Sequence, residues 1–166
     1  RDVERSRGLG DVYKRQSLGC ELGNHTYSHV DLTTLAPEDM SAEIAGVDED
    51  LVNLVGHGAT VLRPPYGNIN DSVRSTVGTP MILWSIDTLD WETQDASQIT
   101  EAVMSQVQDG SIILMHDIFS TSVDAAEIFI PKLIEEGYQL VTIHELAKIK
   151  GTELTTGIAY GDFTGQ

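Results

Sequence analysis

The chain has 166 residues, with 10 Lys and Arg against 26 Asp and Glu, for a formal charge of −16. That length holds one domain with a sizeable core and hardly two, and so negative a surface repels nucleic acid and anionic lipid, which excludes both as partners. Hydrophobic residues at 40% and charged residues at 22% suit a globular protein; no apolar run reaches the ~20 residues of a membrane helix, and one cysteine, Cys20, cannot form an internal disulfide.

Residues 1–16 carry Arg1, Arg5, Arg7, Lys14 and Arg15 against Asp2, Glu4 and Asp11. They show no helix or strand period and no apolar stretch of a secretory signal. They read as a leader, disordered or foreign to the domain, with a boundary at Ser17. From Leu18 strand and helix alternate. Leu18 to Gly23 is a predicted strand with Cys20 as a buried small hydrophobe. Pro37 to Val55 is a predicted helix: Pro37 suits a first turn, Glu38 and Asp39 suit its positive end, and Ile44, Val47 and Leu51 make an apolar stripe. Gly56 and Gly58 stop it.

A short strand over Thr60–Leu62 runs into Arg63-Pro64-Pro65-Tyr66. Asn70 or Asp71 caps a helix to Val77. Met81–Ile86 is an apolar strand ending at Asp87, and Ala96–Val107 a helix. Ser111–Met115 is a strand ending at His116, Ser122–Glu136 a helix, Gln139–Ile143 a strand and His144–Lys150 a closing helix. Residues 151–166 are rich in Gly and Thr and read as an irregular tail. Repeated strand–helix units predict an α/β fold with a parallel sheet. Nearly every strand ends in polar or ring-bearing residues, which such a sheet gathers on one face.

Those ends carry the candidate chemistry. His25 and His29 lie four apart, the spacing of one helical turn, and suit two ligands on one transition-metal ion. Thr26 and Ser28 can hold the turn by hydrogen bonds. After Pro64 and Pro65, which offer no amide donor, the first free N–H is that of Tyr66, rigidly aimed as an oxyanion needs. Arg63 can orient a carboxylate. Asp90 can pair with a histidine and keep it protonated, and Trp91 offers a flat wall for a sugar ring. His116 is the candidate general acid, and Leu114, two residues earlier, shares its side of the strand. His57, in a Gly-His-Gly loop, and His144, at a helix start, read as structural or exposed. Plainer readings stand beside these: core-satisfied histidines, a proline-stiffened loop, a buried tryptophan with capping aspartates.

His25-Thr26-Tyr27-Ser28-His29, Arg63-Pro64-Pro65-Tyr66, Asp87-Thr88-Leu89-Asp90-Trp91 and Leu114-Met115-His116 occur in that order. Together, over about Leu18 to Lys150, they resemble the polysaccharide deacetylase family of the NodB homology fold. The resemblance implies a distorted (β/α) barrel and hydrolysis of N- or O-acetyl groups on chitin oligomers, peptidoglycan or xylan. It implies His25 and His29 as ligands of one divalent ion, zinc first and cobalt or a similar ion next. The Tyr66 amide becomes the oxyanion donor, Arg63 the residue orienting the base, and His116 the acid tuned by Asp90. Leu114 lines the acetyl-methyl pocket and Trp91 the groove. The implied partner is a carbohydrate polymer or oligomer, and the implied location extracellular or at the cell surface.

One departure bears on activity. The family opens on an Asp-Asp pair that supplies the base and a third metal ligand, and no such pair occurs in this sequence. The expectation is therefore an incomplete barrel lacking its first strand–helix unit: residues 1–16 as leader, 17–150 as a partial domain, with impaired activity. The alternative is a non-catalytic carbohydrate-binding relative that lacks the base. A zinc protease is a poor reading, since the glutamate of His-Glu-x-x-His is missing.

Overall fold

The computed structural model describes residues 12–165. Residues 1–11, most of the expected leader, lie outside the described residues. Residues 12–17, the described part of that leader and Ser17, are helical (α1). The predicted strand over Leu18–Gly23 is not formed. Leu18 and Gly19 instead form a turn that closes α1, with Gly19 at φ 84°; within 18–24 only Asn24 makes a ladder bridge, and Cys20 is exposed rather than buried.

The chain divides into two compact units. The first comprises residues up to Ile82 with Leu154–Ala159. Its centre is a parallel run of very short strands: Asn24 pairs with Leu62, and Leu62 with Met81 of β1 (Met81–Ile82). The Asn24 amide donates to Val61 O, the Arg63 amide to Asn24 O, and the Ile82 amide to Leu62 O. Helix α2 (Pro37–Val55) begins on Pro37, carries Glu38 and Asp39 in its first turn, and ends on left-handed Gly56. Glycine is tolerated there at φ 86° because it has no Cβ. Asn70 caps α3 (Asp71–Thr76) by accepting from the Val73 amide. Leu32, Met40, Leu62, Val73, Val77 and Met81 form the core of this unit. Each large side chain fully buried contributes about 1.5–3 kcal/mol.

The second unit comprises Leu83–Glu153 with Tyr160–Gln166. Strand β2 (Ile86–Asp87) pairs in parallel with β3 (Ile113–Leu114), Ile86 opposite Ile113 and Asp87 opposite Leu114. The predicted strand over Met81–Ile86 is thus two short pieces, β1 and β2. A one-turn helix α4 (Asp90–Thr93) precedes α5 (Ala96–Gln106), which Asp95 caps by accepting from Ser97 and Gln98. Helix α6 (Ser120–Glu135) packs Ala125, Phe129 and Leu133 with Ile99 and Val103 of α5. The predicted strand over Gln139–Ile143 is not formed. Thr142 instead opens helix α7 (Ile143–Ile149) through a capping box with Glu145, a local hydrogen-bonding option that outcompetes extended pairing.

Within 151–165 the chain is mostly irregular, yet it is packed. It contains β4 (Ala159–Tyr160), and Phe163 is wholly buried. The Phe163 amide donates to Gly110 O at 2.8 Å. Gly110 has φ 99°, and a Cβ there would lie 2.5 Å from the Phe163 carbonyl carbon and oxygen. Among the described residues no helix is long and apolar enough to cross a membrane.

Gly110→Ala and Gly137→Ala separate strain from clash. Gly137 also has positive φ, but open space around it, so its substitution costs about 1–2 kcal/mol. Gly110→Ala adds overpacking and costs roughly 1–3 kcal/mol more. Urea unfolding of both variants checks the ranking; equal losses would contradict the close approach of Phe163.

Candidate active site

In the first unit the histidine segment leaves the bridge at Asn24. Residues 25–29 are not helical: of the loop and the helical turn that the i, i+4 spacing allows, the loop is formed. Thr26 and His29 hold φ of 64° and 55°, a left-handed region that costs a non-glycine residue of order 1–3 kcal/mol. Buried Asn24 braces the start. Its Nδ2 donates to Ile44 O at 2.9 Å and to Asp48 Oδ1 at 3.2 Å, and its Oδ1 accepts from the Thr26 amide at 2.9 Å. Ser28 is held by Glu43 of α2, whose carboxyl lies below its ordinary range because of the Ser28 hydroxyl and amide.

The two imidazoles meet with ring centroids 4.8 Å apart, edge to face. His25 Nδ1 lies 2.6 Å from the carbonyl oxygen of Arg63. A carbonyl only accepts, so Nδ1 carries a proton, and in the neutral ring the lone pair is on Nε2. That is the tautomer of a metal-binding histidine oriented by a backbone partner. His29 packs in turn against the Tyr66 ring at 5.0 Å.

Pro64 and Pro65 lead into a 3-10 turn over Pro65–Gly67, with Tyr66 at φ 60°. Gly67 N donates to Pro64 O and Asn68 N to Pro65 O. The Tyr66 N–H precedes those donors and is the first amide after the prolines. Asn68 Nδ2 donates to Asp31 Oδ2 at 2.7 Å, which ties this loop to the chain just past His29. The Asp31 carboxyl is lowered chiefly by Thr33 and Asn68. Arg63 donates through Nε to Ile82 O, and burial lowers its guanidinium below the usual value.

In the second unit a wholly buried carboxylate organises the residues. Asp90 Oδ1 accepts from His116 Nδ1 at 2.8 Å and from the Trp91 amide at 3.0 Å; Oδ2 accepts from the His116 amide at 2.6 Å and from Ser122 Oγ at 2.7 Å. Burial pushes the Asp90 carboxyl up, yet the bonds from Ser122 and His116, with the facing imidazole charge, bring it below the ordinary range. With Nδ1 committed to Asp90, Nε2 is the free nitrogen of a side chain about one-third exposed. Leu89, left-handed at φ 51°, makes the sharp entry to α4. Trp91 is half exposed, and Leu114 is buried at the end of β3. Thr88 Oγ1 donates to Leu114 O.

The structure therefore brings His25, His29, Tyr66 and the Arg63 carbonyl together in one unit, and Asp90 with His116 in the other. Sequence reasoning missed three supports. Ser122 was legible only as the start of a helix. Glu43 sits in ordinary helical spacing and carries no local signal. The Asp31–Asn68 contact joins two loops 37 residues apart. His57 donates to Gly58 O and meets Gln16, away from the histidine pair in its bonding. Among the described residues no group of three His, Cys, Asp or Glu could hold a metal ion.

The sequence profile of the polysaccharide deacetylase family matches residues 10–79. A structurally similar chain, described as T48 deacetylase with substrate, has 34% identity and a TM-score of 0.87 over 92% of this chain and 75% of that one. The chain belongs to the polysaccharide deacetylase family, and its α/β fold is of the NodB type. The peptidoglycan-N-acetylmuramic acid deacetylase PdaC of Bacillus subtilis is 42% identical over 132 residues, covering 80% of this chain. The chain spans 28% of that relative's length. A family 4 acetyl xylan esterase from Clostridium thermocellum, in complex with a cobalt ion, has 26% identity and a TM-score of 0.86 over 93% of this chain and 78% of that one.

Asp90 also sets an acid dependence of stability. Its folded value lies below the unfolded ~3.9, so its contribution is complete above that value and is lost as pH falls through the folded one. Asp90→Asn is expected to cost about 1–3 kcal/mol at pH 7 by leaving buried donors poorly matched. The gap to wild type narrows at pH 3, because the unfolded wild type then takes up a proton on this carboxylate more readily than the folded state does. Urea midpoints at both pH values test this; a gap independent of pH would contradict it.

Proposed function

We propose that this chain carries metal-dependent deacetylase chemistry, the hydrolysis of N-acetyl groups on a polysaccharide such as peptidoglycan or chitin-like oligomers. The observation that carries the proposal is the His25 Nδ1–H bond to Arg63 O, which in the neutral ring puts the metal-ligating lone pair on Nε2, with the His29 ring 4.8 Å away. Two imidazoles suit a divalent transition ion, zinc first and cobalt as an alternative, and the Clostridium thermocellum relative is described with cobalt. The fit covers two ligands of the three usual for catalytic zinc. When bound, such an ion supplies Lewis-acid polarisation of the acetyl carbonyl.

The remaining work falls to the chain itself. The Tyr66 amide donates to the oxygen that gains charge as the carbonyl becomes tetrahedral. His116 gives the proton on Nε2 to the departing sugar nitrogen, while Asp90 on Nδ1 holds the ring in place. Trp91 stacks on a sugar ring, and Leu114 borders the acetyl methyl. Arg63 acts first through its carbonyl, on His25. Orientation of a base by its guanidinium, the role implied by the family resemblance, has no Asp-Asp partner in this sequence. Slow turnover is expected for that reason. A cell-wall polymer as substrate places the site of action outside the cytoplasm.

The shortfall of a third ligand favours the second reading, a carbohydrate-binding relative without turnover. Acetate release from an N-acetylated glycan, assayed with zinc and with cobalt, separates the two. Under the first reading His116→Ala lowers the rate by roughly 10²–10⁴, and His25→Ala removes the response to metal. Glycan binding with no acetate released under either metal supports the second reading.

A further inference from the structure

The geometry points to Glu43 as the positioning residue of the histidine pair, an inference that rests on reading His25 and His29 as metal ligands. The segment between them is unfavourable by itself. Thr26 and His29 both hold positive φ, and a β-branched residue such as threonine is among the least suited to that region. A chain without outside support would relax and swing one imidazole away from the other.

Glu43 lies in the second turn of α2 and reaches the middle of this segment at three points. Its Oε1 accepts from Ser28 Oγ at 2.6 Å, its Oε2 from the Ser28 amide at 2.8 Å, and its own carbonyl from the Tyr27 amide at 3.1 Å. Two oxygens of one carboxylate on two atoms of one residue fix both the place and the direction of Ser28. The peptide path between the histidines is thereby set from α2. The Tyr27 ring lies over Gly46, one turn further along; a Cβ there would meet the ring at 3.2 Å. The histidine pair is thus held in register by a helix that contributes no ligand. Supports of this kind set metal affinity through ligand orientation.

The carboxylate acts here as a hydrogen-bond acceptor pair, and glutamine can reproduce it. Its Oε1 accepts from the Ser28 amide, and its Nε2 donates to Ser28 Oγ, which then accepts. Alanine removes both bonds. The test uses the full chain without metal and then with zinc. NMR contacts between the His25 and His29 rings report their proximity, and calorimetry reports zinc affinity. Wild type and Glu43→Gln are expected to keep the ring contacts and similar affinity. Glu43→Ala is expected to lose the ring contacts and to bind zinc about 10–100-fold more weakly. Ser28→Ala, which loses only the hydroxyl bond, shifts both readouts the same way by less.

Unchanged ring contacts in Glu43→Ala would overturn the inference, as would Glu43→Gln failing as badly as alanine. Should Glu43→Ala not fold, Ser28→Ala decides, and no shift in either readout overturns it. If wild type binds no zinc but its ring contacts still depend on Glu43, the positioning role stands and the metal reading falls.

Discussion

A carboxylate with no solvent exposure must find hydrogen-bond donors for both oxygens or lose its charge. Asp90 finds four, and they come from α4, from His116 just past β3 and from the first turn of α6. Each element is short or begins at that point, and none could hold its place by length alone. The His116 amide and ring are both bound to the same side chain, so His116 cannot rotate without breaking two charge-assisted bonds. The apolar packing of α5 on α6 stabilises the unit, but it is non-directional. The direction of the His116 ring comes from Asp90.

The first unit solves a similar problem with backbone groups. Strands of one or two residues supply few ladder bonds, so the loops after them need separate supports. Asn24 braces the chain before His25, Glu43 the chain before His29, and Asp31 with Asn68 the turn that carries Tyr66. The Arg63 carbonyl then selects the His25 tautomer. Three left-handed non-glycine residues, Thr26, His29 and Tyr66, lie within this one group. Strain of that sort persists only where surrounding bonds over-determine the backbone, and it collects where side chains must be aimed.

Much of the molecule was legible from local pattern. Helices α2, α3, α5, α6 and α7 follow from their apolar stripes, caps and stopping glycines, within a residue or two at most ends. The strands were far less legible. Apolar runs such as Met81–Ile86 predict one continuous strand, whereas Met81–Ile82 and Ile86–Asp87 are separate strands that pair with different neighbours. Val141 and its neighbours look like a strand by composition, yet the capping box at Thr142 claims the chain for α7. The 151–166 segment has no periodicity, so nothing local foretold that Phe163 would be buried against Gly110.

By itself the sequence determined the chemistry available: two histidines four apart, an amide following two prolines, an aspartate beside a tryptophan, a histidine after an apolar strand, and no Asp-Asp pair. These are facts of residue type and order, which need no fold to be read. Only tertiary structure decided which partner each ring nitrogen meets. A carbonyl 38 residues away takes Nδ1 of His25, and an aspartate 26 residues away takes Nδ1 of His116. A histidine's role depends on which nitrogen its partner occupies, and partners distant in sequence are fixed by packing, not by local pattern.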